Sequence, residues 1–278
     1  MNIFKEKNQL IKFLSNQKQN IIIGFVPTMG SLHQGHLSLI KESQKKCDLT
    51  VCSIYVNPTQ FNDKSDFKNY PIDIKSDLKK LSEIECDIVY TPKSSDFYAA
   101  DETAKEYNFN GVEKKIEGKY RPGHFNGVAT IVEKLFNIIK PNYAFFGEKD
   151  LQQLFIIKKL VEIKKIKTKI IGCPTIREKS GLAKSSRNQL LSKKDFKKSS
   201  NIYEQLLFTK ENYTTKSFKE IKDRVKHNLK KLDFEIDYFE FIDMKNLEIH
   251  KRKLKGVQYA ACIAVVVSKI RLIDNIIL

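Results

Sequence analysis

Hydrophobic positions fall in short blocks along the first 175 residues, and the spacing within each block identifies the element it builds. Ile21 to Val26 is an unbroken apolar, β-branched run stopped by Pro27, the pattern of a strand buried on both faces. His36 to Lys46 has apolar residues at 37, 39 and 40 followed by a polar face, which predicts a helix. Leu49 to Val56 predicts a second strand, ended by Asn57-Pro58; Ile74 to Ile84 a helix; and Cys86 to Tyr90 a third strand before Pro92. Residues 93–120 are polar and irregular and read as a long surface excursion, a type of segment that is commonly mobile. Val128 to Ile139 keeps the helical period at 128, 131, 132, 135, 136 and 139 until Pro141 stops it. Tyr143 to Phe146 predicts a strand, Leu151 to Ile163 a helix and Lys169 to Cys173 a strand before Pro174.

Strands alternating with helices of this length imply right-handed crossovers and a mostly parallel, doubly wound α/β sheet. The pattern changes near 175. Residues 193–232 form two Lys-rich amphipathic segments around Tyr213-Thr214-Thr215, followed by strand patterns at Ile236–Ile242 and Val257–Val267. Helices followed by adjacent strands predict a smaller α+β domain, so the expected domains are 1–175 and 176–278.

Charge changes the picture less than its size suggests. Fifty Lys+Arg against 33 Asp+Glu give a formal net charge of +17 over 278 residues, which invites a nucleic-acid or anionic-membrane reading. The basic residues, however, are 44 Lys and only 6 Arg, scattered through a chain that also holds 32 Ile. Arg supplies bidentate recognition of guanine and phosphate, so this balance favours solvated Lys faces over a nucleic-acid footprint. The apolar run Tyr259–Val267 is far short of the ~20 residues of a membrane span, and the N-terminus has no signal-peptide core. Five cysteines without a CxxC spacing argue against a disulfide framework or a Cys-based zinc site and suit a reducing cytoplasm.

The chemistry-bearing residues follow the strands. Pro27-Thr28-Met29-Gly30-Ser31-Leu32-His33-Gln34-Gly35-His36 is a strand end, a Gly-containing turn and a helix start, where α/β sheets bind phosphates on free helix N–H groups. It is not a Walker loop, because no Gly-Lys-Ser/Thr follows. His33 and His36, three apart, share a helix face and could donate hydrogen bonds to a polyphosphate. A zinc pair and two plain surface histidines are the competing readings; the spacing is short for zinc, and no carboxylate or Cys lies near in sequence. Further on come Val56-Asn57-Pro58-Thr59-Gln60-Phe61, Arg121-Pro122-Gly123-His124-Phe125-Asn126-Gly127-Val128, Phe146-Gly147-Glu148-Lys149-Asp150-Leu151-Gln152-Gln153-Leu154 and Arg177 to Asn188, with Arg271-Leu272-Ile273-Asp274-Asn275 near the end.

The His-x-Gly-His turn resembles the signature of nucleotidylyltransferases that act at an α-phosphate. All the motifs together, in order over most of the chain, resemble the pantothenate synthetase (pantoate–β-alanine ligase) family. The resemblance implies a Rossmann-like first domain, a smaller C-terminal lid, a homodimer and an ATP-dependent ligase in which Mg²⁺ accompanies ATP. Pantoate and ATP would give pantoyl adenylate and pyrophosphate; β-alanine would then give pantothenate and AMP. By resemblance, ATP is contacted by Pro27, Met29, Gly30, Ser31, Leu32, His33, Gln34, Gly35 and His36, by Gly147, Glu148, Lys149 and Asp150, by the backbone of Ile176, and by Lys184, Ser185, Ser186 and Arg187. Gln60 and Gln153 match the pantoate-contacting amides, Gln60 also the β-alanine site, and Asn57 fits the same loop. His33, His36, Lys149 and Arg187 are the expected donors to charge developing at the phosphates, and Asp150 could hold the ribose or help with Mg²⁺. Two positions depart from the family pattern: Lys184 stands where Met is usual, and Ser180 where an acid is usual. Lys184 would either add charge at the triphosphate or point to solvent. Two other classes remain open at this point: a related nucleotidylyltransferase with another acceptor, and a basic nucleic-acid-binding protein without catalysis.

Overall fold

The structure is a computed structural model of the chain, and it describes residues 1–18, 20–62, 64–99 and 102–278. These divide into two compact units, Met1–Glu148 with Gln152–Pro174, and Lys149–Leu151 with Thr175–Leu278.

The first unit is built on β1 (Asn2–Phe4), α1 (Lys7–Ser15), β2 (Ile23–Thr28), α2 (Gln34–Lys46), β3 (Leu49–Ile54), α3 (Lys64–Lys68), α4 (Ile74–Glu83), β4 (Ile88–Tyr90), α5 (Glu117–Tyr120), α6 (His124–Ile139), β5 (Tyr143–Gly147), α7 (Leu151–Ile163) and β6 (Lys169–Cys173). Among the described residues the strands form one six-stranded sheet in the order β1-β4-β3-β2-β5-β6, every pair parallel. Parallel pairing needs both faces covered. Successive β2 residues show it: Phe25 meets Phe136 of α6 edge-on at 6.1 Å, while Val26 joins Leu37 and Ile40 of α2 in a separate apolar cluster. The sheet is the expected Rossmann-like α/β architecture, and its order turns back between β2 and β5. Ligands of such sheets bind beyond the carboxyl ends of the strands at that point. The loop after β2 and the turn after β5 both start there.

Element ends shift by a few residues, and β2 continues through Pro27 to Thr28 instead of stopping before the proline; three larger features also differ from the sequence reading. The N-terminal 20 residues supply β1 and α1, although three residues and a nine-residue helix give too little periodicity to stand out. The described part of residues 93–120 is irregular and about half exposed, as expected, but it is not loose. Phe97, Tyr107, Phe109, Val112 and Ile116 are buried, and the segment is bolted down by polar contacts. Gln152 Nε2 donates to the carbonyls of Val112 and Lys115, both at 2.8 Å, and its Oε1 accepts from Glu117 N at 2.9 Å. Tyr107 Oη donates to Glu133 Oε2 at 2.5 Å. The buried residues sit at irregular intervals, so no period betrays them. Ala100 and Asp101, inside this segment, lie outside the described residues.

The second unit carries α8 (Lys193–Lys198), α9 (Asn201–Asn212), α10 (Phe218–Lys230), β7 (Glu235–Asp243), β8 (Tyr259–Val267) and β9 (Ile270–Ile277). The strands form an antiparallel sheet in the order β7-β8-β9. Its core is made by α10 positions Phe218, Ile221, Val225 and Leu229, three or four apart, against Phe239, Phe241, Tyr259 and Ile263. Phe218 stacks on Phe241 at 3.8 Å, and Ser217 with Glu220 makes the capping box that starts α10. The third feature is β9, a strand where the sequence shows only the motif at 271–275.

Candidate active site

The loop between β2 and α2 leaves the sheet through two consecutive left-handed residues, Gly30 (φ 81°) and Ser31 (φ 51°). Thr28 Oγ1 ties its start, donating to Ser53 O at 2.7 Å and accepting from Gly30 N at 3.2 Å. The Asp77 carboxylate from α4 accepts from Ser31 N at 2.8 Å and Leu32 N at 2.7 Å. Lys80, one turn later, donates to Leu32 O at 2.8 Å.

The loop then delivers His33 as the N-cap of α2. His33 Nδ1 accepts from Gly35 N at 3.1 Å, and His36 Nδ1 accepts from His33 N at 3.3 Å. This is a capping box made from two imidazoles, with the rings 4.1 Å apart. The reciprocity explains the three-residue spacing better than a zinc pair does. It also fixes the tautomer: an Nδ1 that accepts a backbone N–H leaves the hydrogen of the neutral ring on Nε2. Of the N–H groups that the sequence reading offered to phosphates, most are taken up within the loop. The amides of Ser31 and Leu32 go to Asp77, those of His33 and Gly35 to imidazoles, and that of His36 to His33 O at 2.8 Å. The donors directed by this arrangement are side-chain Nε2–H groups.

Asn57 is the N-cap, and Gln60 the last residue, of a one-turn 3-10 helix, Pro58–Gln60. Asn57 is 0% exposed, and its amide is fully used. Nδ2 donates to Gln60 Oε1 at 3.2 Å and Gly127 O at 3.1 Å, while Oδ1 accepts from Tyr98 Oη at 2.8 Å and Thr59 Oγ1 at 3.1 Å. Two donor hydrogens and two lone pairs are the whole capacity of a carboxamide. Asn57 is therefore a support for Gln60 and has no valence left for a ligand in this state. Gln60 Nε2 donates to Met29 Sδ at 2.7 Å. The Gln60 carbonyl accepts from His124 Nδ1 at 2.8 Å, and His124 Nε2 lies 3.1 Å from Arg121 Nη1. A carbonyl can only accept, so His124 carries its hydrogen on Nδ1 and Arg121 donates to Nε2. Gly127 lets α6 pack here; a Cβ on it would lie 2.4 Å from Thr59 O. The Arg-Pro-Gly-His-Phe-Asn-Gly motif thus builds the seat of Gln60.

After β5 the chain makes a 3-10 turn, Glu148–Asp150, and enters α7, which carries half-buried Gln153. Lys149 Nζ lies 3.7 Å from Asp150 Oδ1, and Lys149 O accepts from Asn275 Nδ2 of β9 at 2.9 Å.

The remaining predicted residues belong to a hairpin in the second unit. Arg177 and Ala183 form an antiparallel bridge, and Lys184 N donates to Ile176 O at 2.9 Å. Gly181 (φ 88°) turns it, and a Cβ there would strike Tyr203 Cδ1 at 2.5 Å. Arg177 grips Asp274 with two bonds, Nη1 to Oδ2 at 2.6 Å and Nη2 to Oδ1 at 3.0 Å, and stacks on Tyr203 at 3.7 Å. Burial pushes the Asp274 carboxyl up, against the pull of Arg177. Ser185 Oγ accepts from Arg187 N at 3.3 Å, capping the 3-10 helix Ser186–Leu190. Lys184 Nζ pairs with Glu178 Oε2 at 2.7 Å within the hairpin. Ser180 is exposed at its tip.

The sequence reading missed Asp77, Tyr98, Asp274 and Asn275 as side chains that hold these segments. A signal for Asp77 existed: it shares the apolar face of α4 with Ile74, Leu78 and Leu81. The five cysteines are free, and burial pushes the Cys86 thiol up to about 12 and Cys173 to about 11, so these two are inert packing groups. Among the described residues no group of three or more His, Cys, Asp or Glu side chains could hold a metal ion, and no helix is long and apolar enough to cross a membrane.

The comparisons agree along the whole chain. The family model described as pantoate-beta-alanine ligase matches residues 2–277. The pantothenate synthetase of Flavobacterium psychrophilum is 48% identical over 272 residues, 97% of this chain and 95% of that protein. The crystal structure of pantothenate synthetase from Thermus thermophilus superposes with a TM-score of 0.91 at 33% identity, covering 99% of each chain. The Francisella tularensis pantoate-beta-alanine ligase, complexed with β-γ ATP and β-alanine, gives a TM-score of 0.84 at 36% identity over 100% of this chain and 97% of that one. The chain, in its motifs, its fold and its relatives, belongs to the pantoate-beta-alanine ligase family.

Proposed function

We propose that the chain condenses pantoate with β-alanine at the expense of ATP, through pantoyl adenylate. The observation that carries the reading is the imidazole capping box beyond β2. Its Nδ1 atoms are committed to backbone N–H groups, so His33 and His36 act through Nε2–H donors. Attack of the pantoate carboxylate on the α-phosphate expels pyrophosphate, and negative charge builds on the leaving oxygens. Fixed donors there lower the barrier, and a carboxylate nucleophile needs no base. His33, His36, Lys149 and Arg187 supply this charge stabilisation.

The nucleotide is contacted by Pro27, by Met29 to His36, by Gly147 to Asp150, by the backbone of Ile176 and by Ser185 to Arg187. Lys184 serves that loop through its pair with Glu178. Gln60 and Gln153 bind pantoate, since a carboxamide can both donate to and accept from a hydroxy acid. Gln60 also faces β-alanine, whose amine attacks the acyl carbon and releases AMP. Asn57 holds Gln60. Magnesium enters as the ATP complex, with Asp150 as the carboxylate available to it. The first domain binds nucleotide and pantoate and the second acts as the lid, in a cytoplasmic homodimer.

The test is pyrophosphate release from ATP, Mg²⁺ and pantoate, and AMP release when β-alanine is added. Pyrophosphate release is expected to require pantoate; release that ignores it, or an acceptor other than β-alanine, overturns the reading. His36→Ala and Lys149→Ala are each expected to slow adenylate formation by ~10²-fold or more, the loss of one transition-state donor.

A further inference from the structure

Asp77 is a carboxylate in an apolar place. It lies on the face of α4 that also bears Ile74, Leu78 and Leu81, and it is 1% exposed. A charge buried there needs partners, and those it has are backbone groups of the β2–α2 loop. Ser31 N and Leu32 N donate to its two oxygens at 2.8 and 2.7 Å. Lys80, three residues on and so on the same face, donates to Leu32 O at 2.8 Å, with its Nζ 4.0 Å from Asp77 Oδ1. One helix turn therefore grips two N–H groups and one carbonyl of the loop. The Leu32 side chain is itself buried in the apolar cluster that contains Leu81.

The gripped residues are the ones whose path decides where the imidazoles sit. Gly30 and Ser31 are both left-handed, a conformation that a non-glycine residue keeps only when its surroundings hold it. Ser31 and Leu32 immediately precede His33, whose Nδ1 and N–H build the capping box with Gly35 and His36. A neutral hydroxyl or amide could satisfy one loop N–H; a carboxylate satisfies both without adding a donor of its own.

We propose that Asp77, assisted by Lys80, is a positioning residue for adenylate formation: it fixes the Ser31–Leu32 backbone so that His33 and His36 meet the phosphates through Nε2. The proposal rests on the ligase reading above and names a residue to which that reading gives no role.

Asp77→Asn is the informative variant. It keeps the shape and turns one oxygen into an N–H donor facing a loop N–H. Two half-reactions are measured on the full chain: pantoate-dependent pyrophosphate release, and β-alanine-dependent AMP release from supplied pantoyl adenylate. The first is expected to fall on the order of 10- to 100-fold, as for a small misplacement of catalytic groups, with a raised KM for ATP. The second is expected to stay within about twofold, because the phosphate chemistry is already complete. Asp73→Ala is the structural control. Asp73 caps α4 through Ser76 N at 3.0 Å and touches no loop group, so it should lower melting temperature and leave the ratio of the half-reactions unchanged. Lys80→Met, which removes the Leu32 carbonyl contact and the ammonium 4.0 Å from Asp77 Oδ1, should repeat the Asp77→Asn pattern at a few-fold scale and serves if Asp77→Asn does not fold.

Parallel loss of both half-reactions in Asp77→Asn, or wild-type rates in a folded variant, overturns the proposal. The same ratio shift in Asp73→Ala overturns it as well. A wild-type chain that releases no pantoate-dependent pyrophosphate overturns the ligase reading instead, and this proposal with it.

Discussion

Two loops that carry predicted site residues, one in each unit, are held by different means. The β2–α2 loop is held through its backbone: Asp77 and Lys80 bind peptide groups of Ser31 and Leu32, and the imidazoles bind peptide groups of α2. The 176–188 hairpin adds to bonds on its Gly181 and Ala183 carbonyls a set of side-chain pairs: Arg177 to Asp274, Arg177 on Tyr203, and Lys184 to Glu178. A backbone clamp dictates the path of a loop almost regardless of the side chains the loop carries. A side-chain clamp fails as soon as either partner changes. The first loop should therefore tolerate substitution on its surface but not at its turn, and the second should be sensitive at its pairs.

The largest expected effect breaks the hairpin clamp. Arg177→Ala strands Asp274 as a buried carboxylate and should cost about 3–5 kcal/mol, read by denaturant unfolding. A cost below ~1 kcal/mol would mean that water or another cation replaces the guanidinium, and the contrast between the loops would lose its basis. Next comes the turn of the first loop. Gly30→Ala forces an L-residue into φ 81° and brings a Cβ to 3.0 Å from Asp77 Oδ2. It should cost about 1–2 kcal/mol and slow adenylate formation together with stability. If the rate held while stability fell, the loop path would matter less to chemistry than its clamp suggests. The smallest effect is expected at Lys184→Met, which removes one half-buried ion pair and restores the residue usual in the family. Stability should change by less than ~1 kcal/mol and the rate by less than about threefold. A large rate loss would assign Lys184 to the phosphates after all.

Much of this was legible along the chain because the relevant signals are local. The unbroken run before Pro27 and the helical period before Pro141 each lie within one element, and burial against both faces of a parallel sheet produces such runs directly. The motif loops were legible through their resemblance to a family; that His33 and His36 cap their own helix was not. What escaped was non-local or brief. Asp77 acts on peptide groups about 45 residues away, and a backbone partner leaves no residue-type signal at its own position. Asn57 looks like a ligand-binding amide in sequence, and only the three-dimensional contacts with Tyr98 and Gly127 show its capacity filled. The buried aromatics of 93–120 follow no period, and β9 looks like a tail because its alternation is broken by Asp274 and Asn275, both buried.

The bond from Asn275 to the carbonyl of Lys149 has a consequence for how this molecule can be recombined. Lys149–Leu151 groups with residues 175–278 although it lies well inside the first stretch of chain. Cutting near 175, the natural place to exchange halves between two relatives, would take Lys149 from one parent and its anchor from the other. Chimeras joined there should inherit a mismatch between the Lys149–Leu151 turn and the β9 residue that holds its backbone. Crossovers that carry 149–151 along with the C-terminal segment would transfer the unit intact.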